Sequence, residues 1–346
     1  MDFDRPGLFS RADAHRAGFT DNDLRRARTQ GSIVAIRPGW YLRDHVLRTL
    51  DGPQQHAILA QATYLDSVDG AVLSHVSAAV IHGFDVWNVP LDRVHMTIGA
   101  GYPSKRTRRR ELHGTTLEDN EWVHLTSGAR QTFQPGSLPV TNPARTIVDI
   151  ARSVPLEQAV CTGDYALRHA RVTHVELAQS IMSAKHRTGI GRARRAVEMM
   201  SDRSDSVGET RARLIFEAVT PVLCNQSVYD DNGDFLARVD HVFPDLGEVI
   251  GEFDGVYKYG AEPRRAVLAE KERHNRLLEQ GRTVFRYGWG DLANPSVLIE
   301  RLSAAHRRAL RQGPPSGWFT ELPLPKSTPL PVIDAPFRGS GLPRGA

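Results

Sequence analysis

The spacing of apolar and polar positions divides the chain into four stretches. Residues 1–50 carry short polar helical patterns that end in aromatic and β-branched residues. Residues 51–200 mix helix and strand patterns around an arginine-rich run. Residues 205–312 alternate helix, strands and helix. Residues 313–346 hold eight of the 21 prolines with Gly and Ser, which predicts an extended, disordered tail. In the first stretch, Ser10 can cap a helix running to about Ala17, with Gly18 as its stop. Thr20 caps a second helix, TDNDLRRARTQG, ended by Gly31. IVAI, an RPG turn and WYL predict a two-stranded β-wing. Two short helices joined by a tight Gly-containing turn and followed by a wing have winged helix-turn-helix geometry. The second helix would present Thr20, Asn22, Arg25, Arg26 and Thr29 to a groove or a phosphate backbone, with Arg37 at the wing turn. A small helical cap with solvated arginines is the alternative.

In the middle stretch, SHVSAAVIHGF has helical spacing and puts His75 and His82 seven apart on one face, as core or boundary histidines. Lys105, Arg106, Arg108, Arg109 and Arg110 put five cations into six residues, in a loop or hairpin of high positive potential. Such a run is either solvated or a phosphate contact. TGIGRARRAVEMM at 188–200 lacks the third glycine of a dinucleotide fingerprint and predicts a loop into a helix.

The pattern over 205–290 carries the chemistry. Ser206 to Glu209 opens a helix, ETRARLIFEAV, with Leu214, Ile215 and Ala218 on its buried stripe. CNQSVYD and FLARVDHVF predict paired strands around the turn DDNGD. GEVIGEFDGVYKYG is the next strand, AEKERHNRLLEQG a helix stopped by Gly281, and TVFRYGW a further strand. Period-two alternation places Glu252 with Asp254 on one face, and Asp240 with Leu236, Arg238 and Val242 on one face. His241 then faces away from Asp240. If the strands are neighbours, Asp240, Glu252 and Asp254 converge, and close like charges call for a divalent cation. Hard carboxylate oxygens without Cys or His favour Mg²⁺ or Mn²⁺ over Zn²⁺. Lys258, four residues after Asp254, could orient the nucleophile or steady developing charge on a phosphorane. The plainer alternatives are an i,i+4 surface pair for Glu209 and Arg213, and a solvated edge strand for Glu252 and Asp254.

Composition narrows the picture. At 346 residues the chain is long enough for two or three domains. With 40% apolar and 24% charged residues it is neither wholly disordered, collagenous nor a coiled coil. It has no apolar run of about 18 residues, so no membrane partner is expected. The first residues lack the charged and apolar regions of a secretory signal, which predicts a cytoplasmic protein. Cys161 and Cys224 lie far apart and form no CxxC, which argues against a cysteine-bound structural zinc or a disulfide framework. The net charge is +4, and only five of the 44 cations are lysines. An Arg-favouring genome accounts for most of that bias. It leaves Lys258 notable, because Lys can lose its proton when desolvated and Arg effectively cannot.

FSRADAHRAGFTDNDLRRARTQGSIVAIRPGWYL, with LSHVSAAVIHGF, VHMTI and PVTNPARTIVDIA, resembles AbiEi-type antitoxins over most of residues 7–200. That resemblance implies a DNA-binding repressor paired with a cognate toxin, with a winged helix at 1–50 and a middle α/β domain at 51–200. Residues 205–312 resemble the PD-(D/E)XK nuclease superfamily, in its very-short-patch-repair endonuclease-like branch. There a helix Glu, a strand Asp, E-x-D-G and a following helix and strand form an αβββαβ core. The resemblance implies catalytic roles for Glu209, Asp240, Glu252, Asp254 and Lys258, with Asp240, Glu252 and Asp254 on the metal. The superfamily's (D/E)xK would put a lysine at position 254, where this chain has Asp254, so cleavage would need Lys258 to take that place. The expected fold class is therefore α/β in the α+β multidomain sense. The leading expectation is a DNA-binding, Mg²⁺-dependent endonuclease, with defence against foreign DNA implied by analogy. Cutting both strands would call for a homodimer. The alternative is a non-catalytic AbiEi-like repressor or antitoxin on a degenerate nuclease fold. An RNA-directed nuclease is a weaker third, since no RNA-specific module is present.

Overall fold

The computed structural model describes residues 7–125, 137–255 and 263–321. It contains three sheets of three, six and five strands together with thirteen α-helices among these residues, an α+β multidomain arrangement. Contacts divide the described residues into two units. One holds those up to Thr162 with Arg171–Glu198; the other holds Gly163–Ala170 with those from Met199 onward. The expected domains at 1–50 and 51–200 thus share one unit, and residues 163–170 group with the C-terminal one.

The winged helix forms as its capping signals predict. It comprises β1 (Phe9–Ser10), α1 (Arg11–Arg16), α2 (Asp21–Thr29), β2 (Ile33–Arg37), β3 (Trp40–Arg43) and α3 (Asp44–Thr49). Ser10 and Thr20 each close a capping box with the Asp three residues on, satisfying main-chain N–H groups that the first turn leaves open. Gly18 and Gly31 take the positive φ that a side chain would resist. Phe9, Ala14, Leu24, Ala27, Ile33 and Tyr41 form the small core. The sheet order is β1-β3-β2, so Phe9–Ser10 adds a third strand to the expected two. α4 (Gly52–Leu65) packs Ile58 and Ala62 against Leu8 and Leu42 and so carries the winged helix.

The middle sheet is built from β4 (Val72–Leu73), β5 (Val94–Ile98), β6 (Lys105–Arg106), β7 (Arg110–Gly114), β8 (Trp122–Leu125) and β9 (Leu138–Thr141), in the order β6-β7-β5-β4-β9-β8. α5 (His75–His82) follows β4 directly. The remaining helices are α6 (Pro143–Ser153), α7 (Leu156–Arg168), α8 (His174–Ser183) and α9 (Ile190–Glu198). The cation run forms the predicted hairpin between β6 and β7. α6 carries a buried ionic network. Arg145, with a side chain 1% exposed, lies 2.7 Å from both Asp149 and Glu121. Arg152 pairs with Asp149 at 2.7 Å and Arg187 with Glu121 at 3.3 Å.

The C-terminal unit runs α10 (Val207–Glu217), β10 (Leu223–Tyr229), β11 (Phe235–Phe243), β12 (Val249–Phe253), α11 (Pro263–Glu279), β13 (Val284–Tyr287), α12 (Trp289–Leu292), α13 (Pro295–Gln312) and β14 (Trp318–Glu321). The sheet order is β13-β12-β11-β10-β14, with β12 and β13 parallel and the other pairs antiparallel. Three expectations change here. The buried stripe of α10 is Ala212 and Phe216, with Ile215 partly buried, while Ala218 is its exposed C-cap. β12 ends at Phe253, one residue short of Asp254. The proline-rich tail was expected from residue 313, yet Trp318–Glu321 pairs with Gln226–Tyr229 and Trp318 stacks on Tyr229 at 4.3 Å.

Candidate active site

The register of the C-terminal sheet assembles a row of polar residues. The β11–β12 ladder runs Phe243 with Val249 to His241 with Gly251 and stops there. The same register carried one step further would set Asp240 against Glu252, and the parallel ladder pairs Glu252 with Arg286. On the other side of β11, the pairs Cys224 with His241 and Gln226 with Val239 bring Asn225 opposite Asp240. Directly opposed residues share a face, which is the arrangement that alternation predicts for Asp240 and Glu252. The ladder ends at this row because the Asp240 carboxylate accepts the Phe253 N–H at 2.7 Å.

α11 lies over this face. Its Arg273 donates to the Arg238 carbonyl at 2.9 Å and approaches Glu252 at 3.2 Å. Arg286 approaches the same carboxylate at 3.4 Å. Glu252 is 6% exposed, and its charge is met by two arginines. The opposite face is apolar. Phe216, Phe243, Phe253, Phe285 and Tyr287 pack there, with α10 and α13 as the cover. His241 is on that face, fully buried, with Nδ1 2.7 Å from the Tyr287 hydroxyl. Burial pushes the His241 imidazole down to about 3.

Glu209 sits in the first turn of α10 and is 2% exposed. It accepts the Asp205 N–H at 2.7 Å and the Ser206 hydroxyl at 2.8 Å. Arg213 instead bridges Asp164 at 2.9 Å and Glu217 at 3.1 Å, so Glu209 and Arg213 are not a surface pair. Asn225 donates to Asp205 at 3.0 Å, and Arg238 lies 3.6 Å from the same carboxylate. The Tyr287 hydroxyl is held far above its ordinary range, first by burial and then by the charges of Asp240, Glu209 and Glu252.

Asp254 does not join them in the expected way. With β12 ended at Phe253 the alternation no longer applies, and Asp254 is exposed with its N–H on the Tyr287 carbonyl. Among the described residues, Asp240, Glu252 and Asp254 do not gather to metal-ligand spacing; His75, His95 and His113 alone do so. The expected three-carboxylate cluster is therefore not assembled among the described residues. Lys258 lies outside the described residues.

The expected DNA-facing residues divide similarly. Thr20, Asn22, Arg25, Arg26 and Thr29 lie exposed along α2. Thr20 and Asn22 are partly engaged, as the cap of α2 and as acceptor to Arg25 at 2.9 Å. Asp21 at the start of α2 holds Arg11 and His15 of α1, which fixes the two helices to each other. Arg37 is not available at the wing. It bonds the Ala62 carbonyl at 3.2 Å and Asp66 at 3.1 Å, because the wing leans on the end of α4. Lys105, Arg106, Arg108 and Arg109 are exposed and Arg110 is half-buried, with Arg106 3.3 Å from Glu111.

The pairing of a winged helix with a sheet carrying Asp240 and Glu252 defines an α+β multidomain protein. No protein-family model matches the chain. Two Mycobacterium tuberculosis proteins, uncharacterized protein Rv2248 of strain ATCC 25618 / H37Rv and uncharacterized protein MT2308 of strain CDC 1551 / Oshkosh, are each 30% identical to it over 264 residues. The match covers 75% of this chain and 91% of each relative, and the chain belongs to the family of these two proteins. A crystal structure of the Rv2827c protein from Mycobacterium tuberculosis aligns with a TM-score of 0.36 at 18% identity, over 65% of this chain and 84% of that one.

Proposed function

We propose that the chain is a DNA-binding protein whose C-terminal unit is a Mg²⁺- or Mn²⁺-dependent endonuclease. The observation that carries this reading is the end of the β11–β12 ladder, where the Asp240 carboxylate accepts the Phe253 N–H at 2.7 Å and the neighbouring Glu252 is 6% exposed. Asp240 and Glu252 are hard-oxygen donors of the kind that hold Mg²⁺. A divalent ion held there would supply a polarised water and a counter-charge for the phosphate. Arg273 and Arg286 offset the Glu252 charge in the described arrangement, and both can turn toward a phosphodiester. The exposed face of α2 and the β6–β7 hairpin supply cations for the DNA backbone.

The second reading is a non-catalytic regulator, of the repressor or antitoxin kind, with DNA and a cognate toxin as partners. The two arginine contacts of Glu252 and the exposed, separate Asp254 favour it. A cleavage assay separates the two, on supercoiled plasmid and on single-stranded DNA, with EDTA, Mg²⁺ or Mn²⁺. Metal-dependent nicking that disappears in Glu252→Ala, with DNA binding retained, is the result expected of the endonuclease. Tight, salt-sensitive binding without cleavage would overturn it in favour of the regulator.

A further inference from the structure

Three histidines from separate parts of the middle sheet meet at one point. His75 opens α5, His95 lies on β5 and His113 on β7. One ring nitrogen from each falls within 4.8 Å of the other two. His95 Nδ1 and His113 Nε2 are 3.1 Å apart, sharing one hydrogen bond. The ring centroids of His75 and His113 are 3.9 Å apart in a stacked arrangement. A tetrahedral Zn²⁺ with Zn–N bonds of about 2.0–2.1 Å sets its nitrogens about 3.3 Å apart, close to the His95–His113 separation.

The surroundings hold the three rings in place. The Ser74 N–H donates to the His95 carbonyl at 3.0 Å, and the Ser77 hydroxyl accepts the His95 N–H at 2.9 Å. The SHVS segment thereby clips the start of α5 to β5. His56 Nε2 lies 2.8 Å from the Ser77 hydroxyl and its Nδ1 2.9 Å from the Leu91 carbonyl, which fixes that hydroxyl in turn. Ser74 Oγ is 3.0 Å from His75 Nδ1, an outer partner of the sort that orients metal-bound imidazoles. His75 also has φ of 52°, a left-handed backbone conformation that is strained for a non-glycine residue. A strained, buried histidine clipped against two others is costly to retain for packing alone.

We propose that His75, His95 and His113 form a binding site for a transition-metal ion of the imidazole-preferring class, Zn²⁺ foremost. His75 would ligate through Nε2, leaving Nδ1 to Ser74, once its ring turns out of the stack on His113; the proton between His95 and His113 would move to the other nitrogen of its own ring, freeing both facing nitrogens for the ion. Asp149 and Glu111 bring negative charge near His113, against the positive charge of Arg145 and Arg152. Three protein nitrogens leave a fourth position open. His95 and His113 are half-buried, so a water could take that position.

The test uses the full chain, stripped with a chelator and titrated with Co²⁺ and then Zn²⁺. The expected result is one Co²⁺ per chain with tetrahedral visible absorption, displaced by Zn²⁺. His95→Ala and His113→Ala should each weaken binding at least 100-fold, and Ser74→Ala about 10- to 100-fold. Because a variant can misfold, imidazole ¹⁵N shifts of the unaltered protein provide a second reading, with Zn²⁺ expected to move the signals of His75, His95 and His113 together. No stoichiometric binding, binding unchanged in folded His95→Ala and His113→Ala, or Zn²⁺ shifts at other histidines would each overturn the assignment.

Discussion

The buried network on α6 makes an asymmetric prediction. It holds three cations, Arg145, Arg152 and Arg187, against two anions, Asp149 and Glu121. Arg145 contacts both anions, but each anion has a second arginine. Arg145→Met therefore leaves two balanced pairs, Arg152 with Asp149 and Arg187 with Glu121. Asp149→Asn preserves shape and leaves three cations around Glu121 alone, at a site where the Asp149 side chain is 0% exposed. Removing one partner of a buried ion pair costs about 3–5 kcal/mol because it leaves an uncompensated buried charge, and Arg145→Met avoids that cost because the charges left behind balance. We expect Asp149→Asn to lose about 3 kcal/mol or more, and Arg145→Met less than about 2, the remainder being imperfect filling of the guanidinium space. Urea unfolding followed by far-ultraviolet circular dichroism measures both, the two variants being compared at the same slope. Equal losses, or a larger loss for Arg145→Met, would show that charge balance does not govern this site.

If α2 meets DNA, replacing Arg25 and Arg26 by Ala should lower the slope of log K against log salt by about 1.8, at about 0.9 per phosphate contact, in an anisotropy titration. An unchanged slope would take α2 off the DNA. Burial holds His82 at about 4 in the fold, against an ordinary value of 6.5. The unfolded chain then binds the extra proton first, and stability falls as pH drops from about 7 toward 4. The loss from this one group is of order 2 kcal/mol at pH 5, and His82→Gln should flatten the pH dependence by that amount. A methyl group on Gly208 would lie 2.2 Å from the Phe253 ring, so Gly208→Ala should cost about 1–3 kcal/mol in urea unfolding. A neutral result would mean that the α10–β12 contact is looser than described.

What the sequence made legible was local. Ser10, Thr20, Gly18 and Gly31 carry their own capping and turn chemistry, so α1 and α2 are readable without knowledge of the rest. Alternation over FLARVDHVF and VIGEF placed Asp240 and Glu252 on one face, because period two needs only the strand itself. Alternation could not show where β12 stops, and Asp254 fell outside it. It also could not foresee that Arg37 would be taken by Asp66, a contact 29 positions away that depends on how the wing leans on α4. The histidine cluster was missed because helical spacing grouped His75 with His82, while its real neighbours come from β5 and β7. The available signal was the serine pair flanking His75 in SHVS together with histidines inside two short strands, VHMTI and RELHG.

The short strand β14 has a consequence for where the chain can end. Without Trp318–Glu321, β10 would be the outer strand, presenting unpaired amide and carbonyl groups along Gln226–Tyr229 beside Val228 and Tyr229. Such an edge recruits strands from other molecules. The segment after α13 covers that edge, and a protein shortened to Gln312 is expected to gain a template for aggregation.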